Sequence, residues 1–138
     1  MPNTIEYRTV ERLDPDDFID LLVRSGLAER RPVHDRDRIA RMISGANIVI
    51  GAYEVGRGRL VGVARSLSDF AYCCYLSDLA VDRAHQGEGI GRRLIDLTRQ
   101  AAGPEAMCLL VSSPDARSFY ERIGMPPTDL AFIFPRKG

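Results

Sequence analysis

The sequence predicts an α+β fold, a mixed and mostly antiparallel sheet flanked by helices. Three observations carry this. Two helix-period segments follow a first short strand; two β-runs are joined by Gly56-Arg57-Gly58 as a hairpin; and a later strand, a glycine cluster, a helix and a further strand follow in that order. A hairpin combined with a strand-helix-strand crossover demands both antiparallel and parallel pairing in one sheet. The chain of 138 residues is expected to form one domain over 1–138, long enough to bury roughly 68% of its unfolded surface without disulfide or metal staples.

The elements follow in order. Ile5 to Val10 alternates in part and reads as the first strand. Asp14 then offers a helix cap, Pro15 suits the first helical position, and Asp16 and Asp17 complement the positive end of the helix dipole. Phe18, Leu21 and Leu22 lie on one face of that helix, which Ser25-Gly26 ends. Asp35 or Asp37 caps a second helix carrying Ile39, Met42 and Ile43, stopped by Gly45. The period then changes. Ile48 to Val55 and Leu60 to Arg65 form the hairpin, and Tyr72 to Val81 is a third β-run. Beyond the glycines, Ile90, Leu94, Ile95, Leu97, Thr98 and Ala101 recur at helical spacing up to Gly103-Pro104. Met107 to Val111 reads as a buried strand, Ser113-Pro114 opens a helix through Phe119-Tyr120 to Gly124, and Leu130 to Phe134 is a last strand.

Composition excludes several functions. Lys+Arg and Asp+Glu number 19 each, so no basic excess draws the chain to nucleic acid or to an anionic membrane surface. Cys73, Cys74 and Cys108 are an odd set without C-x-x-C spacing, which suits reduced thiols in a cytoplasmic protein. His34 and His85 have no neighbouring ligands at metal-binding spacing, so no metal is expected. Met1 to Glu6 lacks a cationic segment leading into an apolar run, and no apolar stretch is long enough to span a bilayer. Neither export nor a membrane span is expected.

The most informative stretch runs from Leu79 to Leu94. Gly87, Gly89 and Gly91 stand between a strand and a helix, where exposed N–H groups and the helix dipole suit a phosphate or pyrophosphate, with Arg83, Arg92 and Arg93 at hand. The dinucleotide pattern fails because Arg92 occupies its third glycine position, and the Gly-Lys-Ser/Thr of triphosphate loops is absent. Gln86-Gly87-Glu88-Gly89-Ile90-Gly91 resembles the acetyl-coenzyme A loop Gln/Arg-x-x-Gly-x-Gly/Ala of the GCN5-related N-acetyltransferases (GNAT). Leu79-Ala80-Val81-Asp82 is similar to the family's fourth strand, and Ala116 to Met125 to its Ala-x-x-Leu/Phe-Tyr-x-x-x-Gly-Phe segment.

The resemblance implies the acyl-CoA N-acyltransferase fold, with strands Tyr75–Val81 and Met107–Val111 as parallel neighbours that splay at their C-terminal ends. It implies acetyl-CoA as cosubstrate, direct transfer to a primary amine of a small-molecule or peptide acceptor, and cofactor binding by Leu79, Ala80, Val81, Gln86, Gly87, Glu88, Gly89, Ile90, Gly91, Arg92 and Ser113. Tyr120 falls where the family's tyrosine protonates the departing sulfur; packing on Phe119 and Ile123 is the alternative. Asp78 is the nearest carboxylate for a general base, one position after the family's usual Glu, which here is Ser77, and it could equally pair with an arginine.

Three departures stand out. Ser113 replaces a common Asn, Met125 replaces a Phe, and Glu88 brings a negative charge to the loop, which is expected to point to solvent along with His85. Met125 to Gly138 leaves little room for the family's closing strands, so the sixth is vestigial or the sheet edge is completed by another chain, as in a homodimer. A cysteine nucleophile served by His85 is the competing chemistry, and a non-catalytic CoA-binding sensor or interaction module the competing function. Arginines at 24, 30, 31, 36, 38 and 41 suggest an acidic acceptor if one or two turn inward.

Overall fold

The computed structural model describes residues 4–138; residues 1–3, and with them part of the amino-terminal segment examined for an export signal, lie outside the described residues. The chain forms β1 (Ile5–Thr9), α1 (Pro15–Ser25), a 3₁₀ turn (Leu27–Arg30), α2 (Arg36–Gly45), β2 (Ile48–Glu54), β3 (Arg59–Ser68), β4 (Cys73–Val81), α3 (Ile90–Ala102), β5 (Met107–Leu109) and α4 (Arg117–Arg122). The five strands lie in the order β1-β2-β3-β4-β5. The first four pair antiparallel and β5 pairs parallel to β4.

Local chemistry explains the helices. The Asp14 carboxylate accepts the Asp16 N–H at 2.7 Å, Pro15 opens α1, and Gly26 closes it at φ 87°. Phe18, Leu21 and Leu22 are fully buried. Asp35, not Asp37, caps α2 by accepting the Arg38 N–H at 3.1 Å, and Ile39 is its buried anchor. On α3 the buried stripe is Ile90, Leu94, Ile95, Thr98 and Ala102. Ala101, expected inside, is exposed, because continuing the four-residue step from Leu94 and Thr98 carries the buried face to Ala102.

The sheet separates two apolar layers. Ile48, Ile50, Ala52, Cys74 and Leu76 pack with α3 on one face. Val49, Val63 and Ala80 pack with α1 and α2 on the other. β4 contributes to both layers because its register against β3 slips: Arg65 faces Asp78, but Ser66 faces Leu76, leaving Ser77 as a bulge. The bulge resets the alternation, so Leu76 points toward α3 while Ala80, and Asp78 two residues before it, face α1 and α2.

Three expectations at the far end of the sheet are corrected. β4 starts at Cys73, with the Tyr72 carbonyl accepting the Met107 N–H at 3.0 Å. β5 stops at Leu109 rather than Val111, because the chain peels away from β4 there. Leu130 to Phe134 is not a strand. It has no regular structure and stands exposed, having neither a sheet edge to pair with nor a core beneath it in its own chain.

Leu94 is fully buried between α3 and the sheet. Leu94→Ala is expected to cost about 2–5 kcal/mol of stability, read as a lower urea midpoint with an unchanged slope; a loss under about 1 kcal/mol would mean that α3 is not the helix that seals this face.

Candidate active site

The turn after β4 is held by a buried acid. Asp82 donates its N–H to the Val61 carbonyl at 2.8 Å, keeping it aligned with β3. Its carboxylate accepts the Ala84 N–H at 2.9 Å and an Arg24 N–H at 2.6 Å, and Arg24 also donates to the Leu60 carbonyl at 2.7 Å. Burial pushes the Asp82 carboxyl up, but the Ala84 N–H and the Arg24 guanidinium outweigh it and leave the group below its ordinary value. The end of α1 is thereby tied to the start of the glycine loop.

Within the loop, Gly87 and Gly89 have φ of 87° and 81°, a left-handed geometry that strains any residue with a Cβ. Gly91 is different: a Cβ there would lie 2.9 Å from Phe119 Cζ, so its smallness lets α4 close over α3. α1 and α2 are capped by aspartates, whereas α3 has no side-chain cap. Its first N–H groups, at the positive end of the helix dipole, are left for a ligand. His85, expected in solvent, is tucked under the loop with Nδ1 3.2 Å from Glu88 Oε1 and Nε2 3.5 Å from Glu54 Oε2. Glu88 therefore turns toward His85 and does not line the cleft.

β4 and β5 pair only at Cys73–Met107, Cys74–Cys108 and Tyr75–Leu109, after which β5 leaves and β4 continues to Val81. With Asp82 bonded to β3, alternation turns the backbone groups of Val81 and Leu79 the other way, into the gap. The Gln86 amide donates to the Val81 carbonyl at 3.2 Å, bracing the loop against this edge. The gap opens into a cleft of about 570 Å³, walled by β4, the loop, α3, α4 and the end of α1. Leu79, Ala80, Val81, Gln86, Gly87, Gly89, Ile90, Gly91, Arg92, Ser113 and Tyr120 line it; Asp78 does not. Arg83, singled out with the glycine loop, and Arg30 are also on the wall; sequence reasoning missed Gly26 and Glu29, which complete it. No local motif marks them, since the pairing of the α1 terminus with the loop is made by Arg24 and Asp82, distant in sequence.

Asp78 is fully buried, with Arg31 bonded to one carboxylate oxygen and Arg65 to the other. Arg31 also donates to the Ser77 carbonyl at 2.9 Å, and Arg65 to the Ser77 hydroxyl at 3.0 Å and the Met42 carbonyl at 2.8 Å. A carboxylate outside the cleft and clamped by two guanidinium groups is not placed to take a proton from an acceptor, so the base expectation for Asp78 does not fit this geometry. Of the six arginines at 24, 30, 31, 36, 38 and 41, Arg24 and Arg31 turn inward onto aspartates, Arg24 onto Asp82 and Arg31, joined by Arg65 of β3, onto Asp78. Replacing Asp78 would strand its two arginines, the circumstance in which buried ion pairs become costly.

Tyr120 packs edge-on against Phe119, with ring centroids 5.1 Å apart. Burial pushes its phenol above its ordinary value, and the nearby Arg31 charge pulls partly back. The Ser113 side chain makes no cap bond to the 3₁₀ turn Pro114–Ala116 that it precedes. The cysteine alternative finds no support: no cysteine lines the cleft, and burial pushes the thiols of Cys74 and Cys108 up, the latter to about 11.

A family model described as an acetyltransferase (GNAT) domain matches residues 21–134. The chain belongs to this family. It is 25% identical over 120 residues to a histone acetyltransferase of Glycine max, covering 69% of this chain and 51% of that protein. The chain spans about half the length of the curated relatives it matches. Among solved structures it is similar to a protein of unknown function from methicillin-resistant Staphylococcus aureus (TM-score 0.78, 16% identity, 96% of this chain and 99% of that one). It is also similar to an aminoglycoside N-acetyltransferase in complex with CoA (TM-score 0.73, 14% identity, 100% and 98%). These likenesses establish the GNAT fold of the sheet and helices described above. No helix among the described residues is long and apolar enough to cross a membrane.

Because the Asp82 carboxyl titrates lower folded than unfolded, its contribution to stability is complete above the unfolded value near 3.9 and fades as pH falls through the folded one. Asp82→Asn is expected to lower the melting temperature at neutral pH, and the gap from the parent protein to narrow from about pH 5 to about pH 3. A gap that stays constant across that range would mean that the ionised carboxylate contributes nothing.

Proposed function

We propose that this chain transfers an acetyl group from acetyl-CoA directly to a primary amine of a small-molecule or peptide acceptor. The observation that carries this reading is the convergence, in one cleft, of an uncapped α3 N-terminus, an open backbone edge of β4, and Tyr120. Bound acetyl-CoA supplies the activated acyl group. The N–H groups around Gly87, Gly89, Ile90, Gly91 and Arg92 suit its pyrophosphate, with the Arg92 guanidinium at the same wall. The outward backbone of Leu79 and Val81 suits the amide-bearing arm and the thioester carbonyl, giving fixed donors where negative charge develops. Glu88, turned to His85, braces the loop from outside.

Tyr120 is the proton donor in this reading. Its raised pKa keeps the proton on Oη at neutral pH, ready for a departing thiolate. An acceptor amine with pKa near 10.4 costs about 4 kcal/mol to neutralise at pH 7.4, at roughly 1.36 kcal/mol per unit. With Asp78 engaged by Arg31 and Arg65, that proton leaves through the open cleft, where exposed Glu29 is a carboxylate on the wall. The chain works as one domain over 1–138 in the cytoplasm, and the three free cysteines suit that compartment. The second reading, a CoA-binding sensor without turnover, is favoured by one observation: the expected base is tied up in an ion-pair network.

Two measurements separate the readings. Gly89→Val, at φ 81°, is expected to weaken acetyl-CoA binding at least tenfold in calorimetry while the melt stays cooperative. With an amine acceptor found by screening pooled amines for thiol release, Tyr120→Phe is expected to lower turnover about 10²- to 10⁴-fold at nearly unchanged cofactor affinity. The fall in rate above the ordinary phenol pKa near 10 should vanish in that variant. Saturable CoA binding with no thiol release on any amine identifies the sensor; near-parental turnover of Tyr120→Phe makes Tyr120 a packing residue.

A further inference from the structure

The glycine loop carries an acid that works against an anion site. Glu88 stands between Gly87 and Gly89, immediately before the residue that opens α3. A carboxylate at that position can compete with a bound pyrophosphate in two ways. It repels the phosphates, and it can itself bond to the uncapped N–H groups of α3, the positive helix end to which acidic side chains are drawn. In this structure it does neither. Its Oε1 lies 3.2 Å from His85 Nδ1, and Glu88 does not line the cleft.

His85 is placed to hold it there. The 3₁₀ turn Arg83–His85 fixes the histidine backbone, with the His85 N–H donated to the Asp82 carbonyl at 2.8 Å, and Asp82 is itself tied to β3 and to Arg24. The other ring nitrogen, Nε2, is 3.5 Å from Glu54 Oε2 at the end of β2. Glu54 is a firm base. It pairs with Ile5 of β1 and Arg59 of β3, and its carbonyl accepts the Gly58 N–H at 2.7 Å. The side chains of His85 and Glu54 are 12% and 6% exposed while that of Glu88 is 48% exposed, so the loop acid is the member with room to move. Positive charge favours the same outward position. Arg93, at hand for a phosphate by its sequence position, does not line the cleft; its guanidinium carbon stands 6.0 Å over the Tyr7 ring, and the Tyr7 phenol feels both Arg93 and Glu88.

We infer, on the acetyl-CoA reading proposed above, that His85 is a positioning residue for the cosubstrate: anchored on Glu54, it holds the Glu88 carboxylate off the α3 N-terminus and so keeps the anion site open. His85 itself lines the cleft. Direct contact between its ring and the phosphates is the rival account, and that account requires a loss of affinity that is the same whatever stands at position 88.

A double-mutant cycle on the full chain, read by calorimetry with acetyl-CoA, separates the two. His85→Ala is expected to weaken binding about tenfold at about 50 mM salt, the scale of one released charge close to a phosphate. In a Glu88→Gln background the same substitution is expected to cost under about threefold, because no charge is left to restrain. Raising the salt to about 0.5 M should shrink the loss in the Glu88 protein, since an exposed carboxylate is screened. Should His85→Ala melt below the assay temperature, His85→Phe, which fills the space and offers no donor, runs the same cycle. With a parent chain that binds acetyl-CoA, no loss on replacing His85, an equal loss in both backgrounds, or a loss undiminished by salt would each overturn the inference and leave the cofactor reading standing. A parent chain that binds no acetyl-CoA overturns both.

Discussion

The candidate site depends on β4 outlasting its parallel neighbour. Two strands that stayed paired to their ends would satisfy one another's backbone groups and leave nothing for a ligand. Here pairing stops at Tyr75 and Leu109 while β3 continues to support β4 as far as Val81. The free side of β4 is thus both rigid and unsatisfied, and buried backbone groups in that condition need a partner. The α3 N-terminus, uncapped and directly following the glycine loop, adds a second set of unused donors to the same space. Both are properties of backbone, which suits the long, multiply charged cosubstrate proposed above.

The walls of that space are held by two ion-pair assemblies that tie the first helices to the sheet. Arg24 and Asp82 join the end of α1 to the start of the glycine loop, while Arg31 and Arg65 converge on Asp78 beneath the bulge at Ser77. The second assembly is the more demanding, because a carboxylate with no solvent exposure is stable as an anion only with such partners. It also gives several of the inward arginines a structural task. A run of positive charge in the connection between α1 and α2 therefore says little by itself about the charge of an acceptor.

The two sides of β5 differ. On the inner side, Gly91 allows Phe119 to approach and α4 to close the cleft. On the outer side β5 pairs with no further strand among the described residues, and Phe132 and Phe134 stand exposed.

Much of this was legible in the residues. The caps at Asp14 and Asp35, the buried stripes of α1 and α3, the hairpin, and the glycine loop all follow from requirements met within a few residues, where spacing and side-chain type suffice, while the other lining positions came from the family resemblance. Tyr120 was likewise placed in the cleft by its motif. What sequence could not decide was partnership across the fold. Whether Asp78 faced the acceptor or an arginine turned on a one-residue bulge at Ser77, which reverses the face every later residue of β4 presents. The inward turn of His85 depended on Glu54 from another strand, and the walls supplied by Gly26, Glu29 and Arg30 on α1 docking beside the loop. Leu130 to Phe134 reads as a strand from composition alone. The tertiary structure leaves it unpaired, because a strand exists only where an edge is offered to it, and the chain carries this segment away from its own.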